Sequence, residues 1–147
     1  MDIDFVVHES SGPASRFGEK AQAGDIINIA GPGPAKPLAP DADWFLIAGD
    51  MTAIPAIRAN LKALTKSTRG YLILEVLTEA DKDALDIPEN LLPAQLEIKW
   101  LINPHPGTNK HFSDSIRTLK WQEGKPAIWI AGELNEVLRA RTHLKIM

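Results

Sequence analysis

Apolar residues run without interruption from Trp44 to Ala48, stop at Gly49-Asp50, and then recur at Ile54, Ile57, Leu61 and Leu64. The first run offers no polar position to solvent and reads as a short strand covered on both faces. The second repeats every three or four residues, the spacing of one helix face. The pattern predicts a strand that breaks at Gly49-Asp50 and restarts as a helix near Ala53, with Thr52 as N-cap and Pro55 in the first turn, where its missing N–H costs nothing. Such a junction brings free backbone N–H groups and the positive end of a helix dipole to a strand's carboxyl end, where a phosphate or pyrophosphate is held without a dedicated cation. It is equally the ordinary strand-to-helix connection of any α/β protein.

The pattern continues in the same alternation. Tyr71 to Leu77 is a nearly continuous apolar run, as in a central parallel strand, and only Glu75 interrupts it. A carboxylate there is costly unless it is paired or opens onto a ligand crevice. Thr78 to Asp86 reads as a short polar helical connection ended by Pro88 and Pro93, Gln95 to Ile102 as the third strand, and Asn103 to Gly107 as its exit loop. Phe112, Ile116 and Leu119 stripe the next helix; Ala127 to Ala131 is the fourth strand, broken at Gly132-Glu133, and Glu136 to Leu144 is the last helix. The fold class is therefore α/β, a Rossmann-like parallel sheet with helices on both faces.

The stretch before Trp44 is different. Ile3 to His8 and Ile26 to Ala30 read as two strands joined through a turn and short helix around Gly12 to Phe17, with Ser15 as helix cap or phosphate contact. Residues 31–43 hold four prolines and two glycines and read as a linker. The main boundary is expected there, giving a small part over 1–40 and an α/β domain over 41–147.

Composition narrows the chemistry. Net charge is −3, with no cluster of Lys and Arg of the kind that neutralises a nucleic-acid backbone. No run reaches the about 18 apolar residues of a membrane helix, so neither nucleic acid nor membrane insertion is expected. Cysteine is absent, which removes thiolate nucleophiles and thiolate metal sites and fits a cytoplasmic location. His105 and His111 bracket a Gly/Pro loop without a carboxylate cluster at ligand spacing, so no metal site is expected. No Gly-x-Ser-x-Gly elbow is present.

Several short motifs, in order and spacing, resemble one family: Asp4-Phe5-Val6-Val7-His8, Gly12-Pro13-Ala14-Ser15, Gly24-Asp25, Gly31-Pro32, Ala48-Gly49-Asp50 with Thr52-Ala53 and Pro55, Glu75-Val76, Trp100-Leu101 and Trp129-Ile130-Ala131-Gly132-Glu133. These resemble the siderophore-interacting proteins, flavin-dependent ferric-siderophore reductases of the ferredoxin-NADP reductase superfamily. The resemblance implies a β-barrel that binds FAD and a Rossmann-like domain that binds NADPH or NADH, with ferric siderophore as substrate and ferrous iron released. It implies that His8, Gly12, Pro13, Ala14 and Ser15 lie on the flavin side and that Ala48, Gly49, Asp50, Thr52 and Ala53 face the nicotinamide and flavin rings. By the same resemblance Gly132 and Glu133 close the nicotinamide pocket, Glu75 stands at the crevice rim, and Asp50, Thr52 and Glu133 carry catalytic roles.

Two departures shape this expectation. The family's Arg-x-Tyr-Thr/Ser flavin anchor has no counterpart, so residues 1–40 are expected to be a two-strand remnant of the flavin barrel within a piece of a longer enzyme or a natural short form. After the third strand, where the family often has arginine suited to a 2′-phosphate, the chain has Asn103-Pro104-His105. The preference between NADPH and NADH stays open. The alternative is a non-catalytic α/β module that binds a nucleotide or partner. Asp50 favours it slightly, because a carboxylate at a helix N-terminus occupies the field a phosphate would want.

Overall fold

The computed structural model describes residues 3, 5, 7, 12–30, 38 and 41–146. The chain divides into two compact units, Met1–Lys36 and Pro37–Met147. In the first, helix α1 (Pro13–Lys20) starts after an extended Gly12, with Pro13 in the position that tolerates its missing N–H. Ser15 is not the cap, as the sequence suggested; it lies within the first turn and is buried. Gly18 allows close approach, since a Cβ there would stand 2.7 Å from Phe5 Cβ, and the rings of Phe5 and Phe17 pack at 5.8 Å.

The two strands expected here do not form among the described residues. Residues 26–30 make no ladder, and Ile26 is 89% exposed. An extended segment becomes a strand only when a neighbour satisfies its backbone groups, and no described residue of this unit supplies one. Ile3, Phe5 and Val7 likewise carry no ladder bonds, while His8 lies outside the described residues.

The second unit follows the predicted alternation. Strand β1 (Trp44–Asp50) leads through a 3-10 turn, Met51–Ala53, into α2 (Ile54–Ala63). Strand β2 (Arg69–Val76) is followed by a 3-10 segment, Glu79–Leu85, whose start is locked by a capping box between Thr78 and Asp81. Then come β3 (Gln95–Ile102), α3 (His111–Arg117), β4 (Pro126–Ala131) and α4 (Leu134–Leu144). The last helix starts at Leu134, two residues before its expected start at Glu136, because Glu133 caps it.

All pairings are parallel and the strand order is β3-β2-β1-β4. Side chains alternate across the sheet. Ile47, Leu72, Leu74 and Val76 face Ile54, Ile57 and Leu61 of α2 on one side. Trp44, Leu46, Ala48, Tyr71 and Ile73 face Phe112, Ile116 and Ala140 of α3 and α4 on the other. Burying a side chain such as Leu46 or Ile47 contributes about 1.5–3 kcal/mol, and both are fully buried. Coverage on both faces is why β1 and β2 read as unbroken apolar runs.

The amino end of this sheet is closed by polar contacts. Arg69 donates to the Asp43 carbonyl, Gln122 Oε1 and the Glu123 carbonyl, and Tyr71 Oη donates to the Lys120 carbonyl at 2.7 Å. Trp44 packs edge-on against Trp121, 4.7 Å between ring centres. The carboxyl end is built differently.

Candidate functional site at the carboxyl end of the sheet

Glu75 pairs in register with Asp50, and Ala131, which precedes Gly132, pairs with Gly49. The sheet thereby gathers Ala48, Gly49, Asp50, Thr52, Ala53, Glu75, Gly132 and Glu133 at one end. The chain proceeds from β1 toward β2 and β3 and returns to place β4 on the other side of β1, so the gap between β1 and β4 is the switch point where open α/β sheets bind ligands. Gly12, Pro13, Ala14 and Ser15 belong to the first unit.

Asp50 holds the turn into α2. Its Oδ1 accepts from the Thr52 backbone N–H at 2.9 Å and from the Thr52 hydroxyl at 2.6 Å. The N-cap is thus Asp50 rather than Thr52, because a carboxylate reaches back to the N–H two residues on more readily than the hydroxyl of a residue already inside the turn. Pro55 sits in the first turn of α2 as expected.

The same economy governs the other two helices that start at this end. Glu136 of α4 is only 2% exposed, and its Oε2 accepts from the Ser113 N–H of α3 at 2.9 Å while Arg139 donates to Oε1. Glu133 Oε2 accepts from the Glu136 N–H at 2.9 Å and its Oε1 from Asn135 at 3.0 Å. These donors, first the Asn135 and Glu136 backbone N–H groups, hold the Glu133 carboxyl below the usual carboxylate range. Carboxylates thus engage one N–H in the 3-10 turn before α2, one in the first turn of α3 and one in the first turn of α4, while α2 itself has no side-chain cap. Their negative charge opposes an anion at this end of the sheet. Asp50 Oδ2, which Thr52 does not engage, is an acceptor suited to a group that offers N–H donors.

Glycine shapes the gap. Gly132 has φ of +144°, and a Cβ there would fall 2.7 Å from Asp50 Oδ2. Gly107 has φ of +77°, and its Cβ would stand 3.3 Å from Glu133 Cγ, so the segment after β3 reaches the side chain that caps α4.

Glu75 is 4% exposed, on the α3 face of the sheet. Burial raises its pKa, partly offset by a hydrogen bond from Asn103, with the charges of Asp50 and Glu136 adding to the rise and His111 opposing it. Asn103 Nδ2 donates to Glu75 Oε1 at 2.8 Å. Asn103 and Asn109 donate to one another, at 3.1 and 2.9 Å. Sequence reasoning did not single out Asn109 or Glu136. The Glu133-x-x-Glu136 spacing, that of a capping pair, was a usable signal for Glu136; nothing in the sequence pairs the two asparagines.

A second concavity, about 580 Å³, lies between α3 and α4, where Lys110, Arg117, Arg139 and His143 line it. Arg117 is paired with Asp114 and Arg139 with Glu136, so much of that positive charge is spent within the chain.

Comparison with known proteins agrees with this architecture. The profile of the family described as "Siderophore-interacting protein" matches residues 42–146, and that of "Siderophore-interacting FAD-binding domain" matches residues 1–36. The chain is 35% identical to the ferric vibriobactin reductase ViuB of Vibrio cholerae over 147 residues, 99% of this chain and 52% of that protein. It is 28% identical to the NADPH-dependent ferric-chelate reductase of Escherichia coli over 90% of this chain and 50% of that one. Among solved structures, the siderophore-interacting protein of Acinetobacter baumannii superposes with a TM-score of 0.81 at 26% identity, covering 95% of this chain and 55% of that one. SipS of Aeromonas hydrophila superposes with 0.77 at 30% identity, covering 96% and 53%. The chain spans about half the length of the curated relatives it matches.

Proposed function

The chain belongs to the siderophore-interacting protein family, and from that premise we propose that it is the nicotinamide-binding part, with an adjoining piece of the flavin side, of an NAD(P)H-dependent ferric-siderophore reductase that uses FAD. The observation that carries the reading is the convergence of Asp50, Thr52, Gly132 and Glu133 at the β1/β4 switch point of the sheet. With Asp50, Thr52 and Glu133 holding the nicotinamide ring, the bound coenzymes would supply hydride and electron-transfer chemistry toward ferric iron in the substrate siderophore.

The chain's own residues orient the ring. Gly132 removes the side chain that would fill the gap beside Asp50. Asp50 Oδ2, the oxygen not engaged by Thr52, and the Glu133 carboxylate accept from a carboxamide N–H, while the Asp50 bonds to Thr52 keep that carboxylate from swinging. Asp50, Thr52 and Glu133 are thus the proposed catalytic residues, and Ala48, Gly49 and Ala53 form the floor and entry of the turn. His8, Gly12, Pro13, Ala14 and Ser15 are proposed to meet FAD. The proposed division is a flavin-side part over 1–40 and a coenzyme domain over 41–147, acting in the cytoplasm on ferric siderophore without nucleic acid or membrane insertion. Among the described residues no helix is long and apolar enough to cross a membrane.

A specific observation favours the alternative, a non-catalytic nucleotide- or partner-binding module: Asp50, Glu133 and Glu136 place negative charge at the end of the sheet where the helices start, and that charge opposes a diphosphate. One titration separates the readings. NADPH and NADH are added in turn while energy transfer from the tryptophans to the nicotinamide is followed, and FAD with a ferric chelate is then supplied. Saturable transfer followed by NAD(P)H oxidation supports the reductase part. Absence of transfer with either coenzyme, in a chain whose circular dichroism is that of an α/β fold, rejects it.

A further inference from the structure

Glu75 stands where a dinucleotide-binding βαβ unit carries its ribose-reading acid, at the end of the second strand and well beyond the first turn. In this chain it cannot do that directly, because it is 4% exposed and its carboxylate is turned toward Asn103. Its neighbours Leu74 and Val76 are fully or almost fully buried hydrophobes. Packing alone would be served by a third; a carboxylate at this depth costs free energy unless bonded.

Its bonds lead in one direction. Glu75 Oε1 receives Asn103 Nδ2, and Asn103 and Asn109 close a reciprocal amide pair across the 103–109 segment. Asn103 Oδ1 also accepts from the His105 N–H at 3.2 Å, and Asn109 Oδ1 from the His111 N–H at 3.1 Å, where α3 begins. Between the two asparagines the segment is closed by a turn, with Thr108 Oγ1 donating to the His105 carbonyl at 2.7 Å, and stiffened by Pro104 and Pro106. The tip of that turn is Gly107, which lies against the Glu133 side chain. A bond network rooted in one buried carboxylate thus shapes the segment between β3 and α3, whose tip packs against the residue that caps α4.

We propose that Glu75 is a positioning residue: through Asn103 and Asn109 it holds segment 103–111 in one shape, as the β3-side wall against which a bound nicotinamide dinucleotide packs. The proposal deepens the dinucleotide reading and rests on it. Asn109 is the point at which to cut the network, because it lies outside the sheet and its side chain bonds to Asn103 and the His111 N–H.

The test compares the full chain with Asn109→Ala and Glu75→Gln. Amide exchange at the His111 and His105 N–H groups reports the clamp without any ligand, and NADH and NADPH dissociation constants, from tryptophan energy transfer, report the wall. In Asn109→Ala, exchange at His111 is expected at least tenfold faster and both coenzymes at least tenfold weaker, with β1 amide exchange and the urea midpoint of the sheet nearly unchanged. Glu75→Gln keeps an acceptor for Asn103 and is expected to retain both the protection and the affinity within about threefold. Unchanged exchange at His111 in Asn109→Ala overturns the clamp, and loosened exchange with unchanged affinity overturns the positioning role. Failure of the unsubstituted chain to bind either coenzyme overturns the dinucleotide reading itself, and the exchange data then reject or support the clamp on their own.

Discussion

Replacing Gly132 by alanine tests the close packing of the chain after β4 against Asp50. An alanine at φ of +144° is strained by about 1–3 kcal/mol, and its Cβ would meet Asp50 Oδ2 at 2.7 Å and Cγ at 2.9 Å. Relief requires the carboxylate to leave its two bonds to Thr52, or the backbone to shift, and overpacking of this kind costs about 1–3 kcal/mol more. The sum is about 2–6 kcal/mol, against a typical domain stability of about 5–15 kcal/mol. All four tryptophans, Trp44, Trp100, Trp121 and Trp129, belong to the second unit, so urea unfolding followed by their fluorescence reports this sheet. With a slope of about 2 kcal/mol per molar urea, the midpoint should fall by roughly 1–3 M. The decisive step is the same substitution in an Asp50→Ala background. With the carboxylate gone only the backbone strain remains, so Gly132→Ala should cost about 1–2 kcal/mol less there, a coupling of the size expected for residues in contact. Equal cost in both backgrounds, within about 0.5 kcal/mol, would refute the contact between Gly132 and Asp50.

Other consequences are as direct. Burial raises the Glu75 pKa above its usual 4.5, so between that value and the raised one the folded chain binds more protons than the unfolded chain, and stability falls as pH rises through the window. Glu75→Gln should remove this fall. Urea midpoints measured from pH 4 to 7 should show the variant gaining on the parent with rising pH, and parallel profiles would count against the buried carboxylate. Glu136→Ala leaves the buried Ser113 N–H without its acceptor and should cost about 1–3 kcal/mol, with faster amide exchange at Ser113 than at β2. Glu136→Gln, which keeps an acceptor, should cost clearly less.

How far the sequence could be read differs between the two units and, within the second, between core and rim. Hydrophobic spacing is a local signal of burial, and in the second unit local signals were sufficient. Trp44 to Ala48 and Tyr71 to Leu74 are apolar because they are covered on both faces, and Ile54, Ile57 and Leu61 recur at helical spacing because one side of α2 meets the sheet. Parallel order and alternation followed from that periodicity with little ambiguity. In residues 26–30 the same signal finds no ladder among the described residues, since β-rich composition records a readiness to pair and carries no information on which segment pairs with it.

The rim of the sheet was decided by tertiary contacts. Asp50 and Thr52 both suit an N-cap by type, and the actual path of the chain from β1 into a 3-10 turn selected Asp50. Glu136 looks from its own helix like a solvated residue, yet a neighbour 23 positions earlier, Ser113, buries and bonds it. Glu75 and Asn103 are separated by 28 positions and meet because β2 and β3 are adjacent and end together. Capping and hydrogen bonding depend on where separate elements stop in space, a property of the assembled sheet that periodicity along one segment does not encode. Family and fold were therefore legible in the order of residues. The Glu136–Ser113 bond and the Glu75–Asn103–Asn109 network arise only when β1, β2, β3 and β4 are laid side by side and their carboxyl ends brought within hydrogen-bonding reach.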